Sequence, residues 1–188
     1  LGWNLVPETV LREGPLGLGM VQRWIDTDPT RLPVSLVSSP PDLSHSLEVM
    51  EAVDISGRSV SLVHENHPVL WSLAVFDLVV NNADRKGGHV LAARSGDYFG
   101  IDHGLCFHVS DKLRTVLWGW GGMTIPQHLL VDLEALEGAL ASGLGDKLGG
   151  VLTGGEVAAL ADRTRAILQQ PRMPVMPGGW RSLPWPPL

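Results

Sequence analysis

The chain has 188 residues, of which 44% are hydrophobic and 18% charged, with a net charge of −6 at pH 7. This composition is typical of a globular domain with a sizeable core and excludes a disordered chain, while the acidic balance argues against a nucleic-acid partner, which usually meets a basic face. The single cysteine, Cys106, excludes an internal disulfide and predicts a reducing, cytoplasmic setting.

The first quarter of the chain is expected to hold two short strands and a long loop. Residues 6–26 predict the strands, joined by a Pro/Gly turn, with the second strand at 20–25. Residues 26–44 carry four prolines and predict a loop or an exposed excursion. A weak helix is expected over residues 45–53, followed by a turn.

The strongest helix prediction covers residues 68–80. Pro68 suits the first helical position, with Asn66 or His67 as the cap. The apolar residues share one face with Asp77, so we expect a largely buried helix whose Asp77 points inward or toward a loop. The same window is too short to span a bilayer and is interrupted by Asp77, which leaves only peripheral membrane contact open.

The last third of the chain predicts two helices and an extended tail. Residues 129–144 and 154–170 have apolar residues at the i, i+3, i+4 spacing of amphipathic helices. Thr153 and Glu156 form a capping-box pattern at the start of the second helix. Residues 171–188 are proline-rich and are expected to lie extended against the surface.

A hairpin predicted at 89–94 and 98–102 separates two aspartates in glycine-rich and apolar surroundings. Asp84 lies in the loop before it and Asp102 at the end of its second strand, so we expect the two carboxylates to be close in space. Phosphoryl transfer uses such a pair: one carboxylate orients or deprotonates the attacking hydroxyl, and the other holds Mg²⁺ against the nucleotide phosphates. His89, the fifth residue after Asp84, is at the position that normally supplies a second metal ligand.

These residues carry a family resemblance. The stretch NNADRKGGHVL, residues 81–91, resembles the D-R-x-x-x-N catalytic loop of the phosphatidylinositol 3-/4-kinase superfamily, and GIDHGLCF, residues 100–107, resembles its D-F-G metal-binding segment. Most of the chain resembles an uncharacterised actinobacterial branch of that superfamily. The resemblance implies an α+β fold, namely the mainly helical C-terminal lobe of a protein-kinase-like fold with a catalytic-loop hairpin.

The resemblance also implies a division of the chain and a missing part. Residues 1–25 would be the end of an N-terminal lobe with its hinge strand, residues 26–170 the kinase-like C-terminal lobe, and residues 171–188 a proline-rich tail. Because the chain begins at Leu1 without an initiator methionine and shows no glycine-rich loop or phosphate-binding lysine, we expect most of the N-terminal lobe to lie upstream.

By the same resemblance Asp84 is the catalytic aspartate and Arg85 supports its loop. Asp102 and His89 are the implied metal ligands, and His89 departs from the family pattern because it replaces an asparagine. His103 is a second departure, since it replaces the phenylalanine of D-F-G. The hinge strand would receive the adenine ring through backbone groups. The implied cofactor-binding residues are Met20, Val21, Gln22, Trp24 and Ile101.

The implied activity is that of an ATP-dependent phosphotransferase using Mg²⁺ or Mn²⁺. The partners are a nucleotide and an alcohol acceptor, either an inositol lipid, another small alcohol or a protein Ser/Thr. The segment after Asp102 would recognise the acceptor and offers Lys112 and Arg114 for a phosphorylated headgroup. Protein kinases of the HipA-like type share the same pairing of aspartates and stay in consideration.

Two functions of other classes remain open. One is a catalytically impaired pseudokinase acting as a nucleotide-binding or scaffold module. The other is a metal hydrolase that uses His89, Asp102, His103 and His108. A zinc site at HENHP, residues 64–68, is disfavoured, since its histidines lack the i, i+4 spacing that a helical H-E-x-x-H site requires.

Overall fold

The computed structural model of the chain describes residues 1–178 and 180–188. Within these residues it has seven β-strands and four α-helices. The strands form three separate antiparallel sheets, two of them two-stranded and one three-stranded. The fold is therefore α+β, as expected, and the kinase-like character of the lobe at residues 26–170 stays a prediction.

The chain starts with an antiparallel hairpin of β1 (Thr9–Gly14) and β2 (Gly17–Gln22). Gly17 has a φ of 99°, a left-handed conformation that glycine adopts without strain at the turn. Two strands are present as predicted, but the second, expected at 20–25, instead runs from Gly17 to Gln22. Nearly every residue of the hairpin is exposed to solvent, so it stands out from the rest of the fold.

A three-stranded sheet precedes the first helix, with β3 (Val34–Ser38) and β4 (Ser46–Val53) on either side of β5 (Ser59–Glu65). Two predictions are wrong here. β3 lies inside the segment 26–44 that the sequence predicts as a loop, and β4 occupies the residues predicted as a weak helix. In both cases pairing with the central strand, whose middle residues are buried, outweighs local propensity.

The buried helix α1 (Pro68–Val80) has the predicted bounds. His67 is its N-cap, with Nδ1 accepting a hydrogen bond from the amide of Val69 at 3.3 Å. The helix ends at Asn81, which has a φ of 54° and so closes the helix in a left-handed conformation. Asp77 is buried, which confirms its inward orientation.

The predicted hairpin after this helix is present. A 3₁₀ turn at Gly87–His89 leads into β6 (Val90–Ala92), which pairs with β7 (Tyr98–Gly100). One face of the hairpin is buried against the core, while residues of the other face are half-buried. The hairpin thereby separates a structural face from a face that remains accessible.

The last third of the chain contains α2 (Gln127–Ala139), α3 (Gly145–Leu148) and α4 (Gly154–Gln169). The predicted helix 129–144 is interrupted after α2 by a π-helical segment with non-helical backbone at Ser142 and Gly143. The capping box at the start of α4 is confirmed, since Thr153 and Glu156 bond each other's backbone amides.

The hydrophobic core forms around α1 and includes the indole rings of two tryptophans in the loop before α2. Trp120 is buried and its ring lies 4.8 Å from that of Trp71 and 4.3 Å from that of His64. Trp118 is also buried, so both tryptophans belong to the core. Among the described residues, no helix has both the length and the apolar character needed to cross a bilayer.

Candidate active site

A buried ion pair lies at the centre of the candidate site. The Nη2 atom of Arg85 lies 3.0 Å from Oδ1 of Asp77, and the Nε atom lies 3.1 Å from both carboxylate oxygens. Both side chains are 0% exposed. Asp77 also accepts hydrogen bonds from Asn82 at 3.0 Å and from the hydroxyl of Thr115 at 3.2 Å. The carboxylate is therefore fully surrounded by donors, as a buried charge requires.

The same guanidinium joins the loop after α1 to the β6–β7 hairpin. Its Nη1 atom donates to the carbonyl of Ile101 at 2.7 Å and to that of His89 at 3.4 Å. Arg85 thus bonds the backbone on both sides of the hairpin while its own backbone belongs to the preceding loop. The role predicted for Arg85, that of a support for the catalytic loop, stays a prediction beside these contacts.

His103 is the third side chain of the cluster. Its Nε2 atom lies 2.8 Å from Nη2 of Arg85, and its ring contacts Phe76 edge-on at 5.5 Å between centroids. Burial, followed by the adjacent Arg85 cation, lowers the pKa of His103 to about 4. At neutral pH the ring is therefore uncharged, and its Nε2 accepts the proton that Arg85 donates.

Asp84 lies in the loop that this cluster holds. Its amide donates to the side chain of Asn82 at 3.0 Å, and the amide of Ala83 donates to the carbonyl of Leu105 at 2.9 Å. The loop consequently runs beside the segment that contains Asp102. The carboxylate of Asp84 is partly exposed and its side-chain partner is Lys86, whose Nζ lies 3.3 Å away.

Asp102 follows β7 and has a φ of 54°, a left-handed conformation that aspartate and asparagine tolerate better than most residues. Its side chain is 62% exposed, and one carboxylate oxygen lies 3.5 Å from Nε2 of His89. The Nδ1 atom of His89 is buried and has no hydrogen-bond partner among the described residues. The structure therefore brings together the two predicted metal ligands, Asp102 and His89.

An apolar surface adjoins these two residues on the outward face of the hairpin. Leu91 and Phe99 face each other across the strands and are half-buried, as is Ile101, the residue before Asp102. The guanidinium of Arg23 lies 5.6 Å from the ring of Phe99. We call Leu91, Phe99 and Ile101 the apolar platform.

A cavity of about 490 Å³ lies at one end of the platform and is lined in part by Phe99, Arg23 and Trp3. Its size is within the range of small-molecule sites. Asp84 and Asp102 are outside its lining residues. The platform and the cavity share Phe99.

The predicted hinge residues lie in and after β2, where they are largely exposed. Gln22 donates to the hydroxyl of Thr9 at 2.9 Å, inside the β1–β2 hairpin. Trp24 is 90% exposed. The segment approaches the β6–β7 hairpin through Arg23 and through Asp26, whose carbonyl accepts from the amide of Arg94 at 3.0 Å. Nucleotide contacts of Met20, Val21, Gln22 and Trp24 stay a prediction.

The residues around Asp102 offer few ligands for a divalent cation. The described residues contain no group of three or more His, Cys, Asp or Glu side chains that could hold a metal ion. Mg²⁺ bound with a nucleotide uses one or two carboxylates and completes its shell with phosphates and water. Asp102 fits that arrangement, with His89 beside it, whereas a metal centre made of protein ligands alone does not fit the described residues.

The metal hydrolase that would use His89, Asp102, His103 and His108 is disfavoured, because two of these four residues bond to other groups. His103 bonds Arg85, and Nδ1 of His108 accepts from the amide of Ser110 at 3.0 Å. Of the set, only His89 and Asp102 face each other. The hydrolase expectation therefore lacks the clustered ligands that it requires.

Several residues of the site are missing from the sequence-based set. The sequence signal for Lys86 is its position two residues after Asp84, because alternate side chains of an extended segment point to the same side. Leu91 and Phe99 carry the alternation of a half-buried strand. Thr115 gives no such signal, since its bond to Asp77 joins distant parts of the chain.

Comparisons with known proteins place the chain among its relatives. No family model matches it, and no solved structure matches it. Protein Rv2133c from Mycobacterium tuberculosis (strain ATCC 25618 / H37Rv) is 45% identical over 195 residues, a match that covers 99% of this chain and 70% of the relative. The resemblance to phosphatidylinositol 3-/4-kinases stays a prediction beside this finding. The extent and identity of the match make the chain a member of the same family as Protein Rv2133c.

Proposed function

We propose that the protein is an ATP-dependent phosphotransferase that transfers the γ-phosphate of ATP to an alcohol acceptor. The observation that carries the proposal is the position of Arg85, which donates to the carbonyl of Ile101 at 2.7 Å and to His103 at 2.8 Å. These bonds hold the Asp84 loop against the Asp102 segment. Phosphoryl transfer depends on positioning and electrostatics, and a rigid support beneath two carboxylates supplies both.

Asp84 is proposed to orient the acceptor hydroxyl and to accept its proton. Arg85 and Asp84 are consecutive in the loop, and the buried arginine anchors the backbone while the carboxylate of Asp84 stays partly exposed. Lys86, 3.3 Å from that carboxylate, supplies a positive charge close to the reacting groups. Such a charge favours the transfer of a phosphoryl group because it offsets the negative charge on the phosphate oxygens.

Asp102 is proposed to hold Mg²⁺ or Mn²⁺ at the nucleotide phosphates, with His89 as its neighbour. A divalent cation bound there neutralises phosphate charge during transfer. The exposed carboxylate of Asp102 offers hard oxygen ligands, which these cations prefer. The apolar platform next to it suits the adenine ring, because an aromatic base gains from contact with Phe99 and the aliphatic side chains.

The acceptor is proposed to be an inositol lipid, another small alcohol or a protein Ser/Thr. The segment after Asp102 carries the basic residues expected to recognise it. Arg114 is partly committed, since its Nε donates to the carbonyl of Arg181 at 3.2 Å. The backbone amide of Lys112 donates to Oδ1 of Asn81 at 3.0 Å, and its ammonium group has no bond to any of the residues that the structure describes.

The experiment is a phosphotransfer assay on the full-length protein with γ-labelled ATP and a panel of alcohol acceptors. We expect label transfer with Mg²⁺ or Mn²⁺ and none with a chelator. Asp84→Asn is expected to abolish transfer, whereas the control Asp146→Asn, at an exposed position of α3, leaves it unchanged. A wild-type protein that neither binds ATP nor transfers the label would refute the proposal.

A nucleotide-binding pseudokinase is the second candidate. The observation that favours it is the contact between His89 and Asp102, in which a histidine stands at the position of a metal-binding asparagine. The phosphotransfer assay distinguishes the two candidates. Metal-dependent ATP binding without label transfer to any acceptor, including the protein itself, would favour the pseudokinase.

A further inference from the structure

The last residues of the tail cross one face of the three-stranded sheet. The strap, as we call residues 182–188, is fixed near both ends. At one end the indole of Trp118 donates to the carbonyl of Ser182 at 3.1 Å. At the other end the amide of Gly87 donates to the carbonyl of Pro187 at 2.7 Å. The strap is therefore attached by a hydrogen bond near each end and crosses the sheet between them.

A cavity of about 230 Å³ lies between the strap and the sheet. It exceeds the apolar cavity of about 150 Å³ that is known to hold benzene. The strap contributes Leu183 and Trp185, and Trp185 is 78% exposed at its outer side. Side chains from all three strands form the opposite wall. They include Leu36, Met50, Ala52, Val60 and Leu62.

The polar groups at the rim of this cavity are already paired. Asp54 accepts hydrogen bonds from the amides of Ser56 and Arg58 at 2.8 and 2.9 Å, and its other oxygen lies 2.8 Å from Arg58 Nε. No basic side chain appears among the described lining residues. An anionic headgroup at this rim would meet the Asp54 carboxylate and an Arg58 cation that is already paired with it, whereas an uncharged alkyl chain would lose only water contacts on entry.

We propose that this cavity binds the alkyl chain of a small uncharged amphiphile and that its occupancy is transmitted to the Asp84 loop. The first half of this inference is independent of the proposed function, and only the relevance of the link to catalysis rests on it. Carbon-lined walls and a strap that is held at both ends favour a slender apolar ligand over a charged one.

The link passes through Gly87, three positions after Asp84 in the chain. A Cβ atom at Gly87 would lie 2.5 Å from Leu188 Cδ2 and 3.2 Å from Val34 Cβ, so loop, strap and β3 are in close contact there. A chain inserted beneath Trp185 changes the height of the strap. Movement of Pro187 then alters or breaks its hydrogen bond to the amide of Gly87.

The test is a titration of the full-length protein with 1-octanol, followed by two-dimensional NMR of methyl, indole and amide groups. We expect shifts at Ala52, Leu62 and the Trp185 indole, and a concurrent shift of the Gly87 amide. Octanoate, which has a chain of the same length and a negative charge, is expected to bind at least tenfold more weakly.

Cavity-filling variants provide the matched comparison. Ala52→Leu, or Val60→Phe from the neighbouring strand, is expected to remove the octanol-induced shifts, while Ala158→Leu on exposed α4 surface keeps them. The site would be overturned if octanol failed to shift the cavity residues, if a folded filling variant bound octanol as the wild type does, or if octanoate bound equally well.

The link to the loop has its own readout, the Gly87 amide, which is measured without ATP. Shifts at the cavity residues with an unchanged Gly87 amide would overturn the link. A failed phosphotransfer assay changes neither result, so failure of this inference is distinguishable from failure of the proposed function.

Discussion

Arg85 and Asp77 form an ion pair from which solvent is excluded, with 0% exposure of either side chain. Asp77 belongs to the last turns of α1 and Arg85 to the loop that follows it, so the pair fixes how the chain leaves the helix. An intact buried pair adds little net stability, because its desolvation offsets its attraction. Its removal leaves a buried charge without a partner, and that loss is measurable.

Arg85→Met is therefore expected to lower the free energy of unfolding by about 3–5 kcal/mol, the cost of breaking a buried pair by removing one partner. Urea denaturation followed by circular dichroism measures the change. Asp77→Leu combined with Arg85→Met is expected to recover part of the loss, since neither charge then remains buried.

The control for this prediction is Arg165→Met. Arg165 bonds Glu137 and Asp162 on the surface, at 3.2 and 2.9 Å, and its side chain is half-exposed. Exposed pairs of this kind contribute about 0–1 kcal/mol. Equal losses for Arg85→Met and Arg165→Met would contradict the structural role of the buried pair.

Two histidines make stability dependent on pH. Burial lowers the pKa of His64 from 6.5 to about 4, and burial followed by the Arg85 cation lowers that of His103 to about 4. Between pH 6.5 and about 4, these two histidines therefore bind protons in the unfolded chain but not in the native protein. Hence the free energy of unfolding is constant above about pH 7 and falls as the pH decreases from 6.5 toward 4.

The expected slope is about 1.4 kcal/mol per pH unit for the buried His64, with a smaller contribution from the partly exposed His103. Urea denaturation between pH 7.5 and pH 4.5, as a function of pH, measures it. His64→Gln is expected to remove most of the slope. An unchanged slope in both His64→Gln and His103→Gln would assign the pH dependence to other groups.

The sequence predicts α1 accurately and the sheet before it poorly, for a physical reason. The bounds of α1 depend on local chemistry, namely Pro68 at the first position and Asn81 in a left-handed cap. β4 contains Leu, Glu, Met and Ala, which favour a helix in isolation, but its residues pair with β5 along the whole strand. β4 and β5 are consecutive strands joined by a short turn, and their pairing outweighs the helix propensity of the β4 residues.

The candidate site shows the same division. Asp84, His89 and Asp102 are predictable because they carry a motif and flank a hairpin that local alternation reveals. The support beneath them is not predictable in the same way. The bond from Thr115 to Asp77 and the bond from Gly87 to Pro187 join residues far apart in sequence, and only the folded chain brings them together.

The two carboxylates are expected to respond differently to neutralisation. Asp102→Asn should weaken metal-dependent ATP binding at least tenfold, because a hard cation loses an anionic oxygen ligand. Asparagine is chosen since it tolerates the φ of 54° at this position. Calorimetric titration of ATP with and without Mg²⁺ measures the effect, and an unchanged metal-dependent affinity would remove Asp102 from the site.

Asp84→Asn should leave that affinity nearly normal and reduce transfer by about 10²–10⁴-fold, the range of a general base. The reason is that Asp84 is expected to act on the acceptor hydroxyl rather than on the nucleotide. Single-turnover kinetics with labelled ATP measures the rate. A comparable loss of ATP affinity in Asp84→Asn and Asp102→Asn would contradict the division of roles.

His89 is expected to influence the choice of metal. Imidazole nitrogen is a softer ligand than an amide oxygen and favours Mn²⁺ over Mg²⁺. His89→Asn should therefore raise the ratio of Mg²⁺-supported to Mn²⁺-supported activity. Identical metal preference in the wild type and in His89→Asn would leave His89 as a neighbour of Asp102 without a ligand role.

A pair of glycine substitutions compares a tightly packed position with an open one. A Cβ atom at Gly119 would lie 2.5 Å from Nε2 of the buried His64 and 2.6 Å from Cβ of Leu47, so Gly119→Ala should destabilise the fold by about 1–3 kcal/mol. Gly138, inside α2, has open space around it, and Gly138→Ala should stabilise by about 0.5–1 kcal/mol. Thermal unfolding of both variants measures the two changes in stability. Changes of the same sign would contradict this packing.

The left-handed backbone of Asp102 has a consequence for how this protein can diverge. Asparagine and glycine adopt that conformation as readily as aspartate, and most of the Asp102 side chain is exposed to solvent. Replacement of Asp102 by either residue would therefore cost little folding stability. Folding alone gives no reason to keep a carboxylate there. Conservation of this carboxylate among descendants would therefore indicate selection on its contacts. A descendant that has lost it can still fold and have a different function.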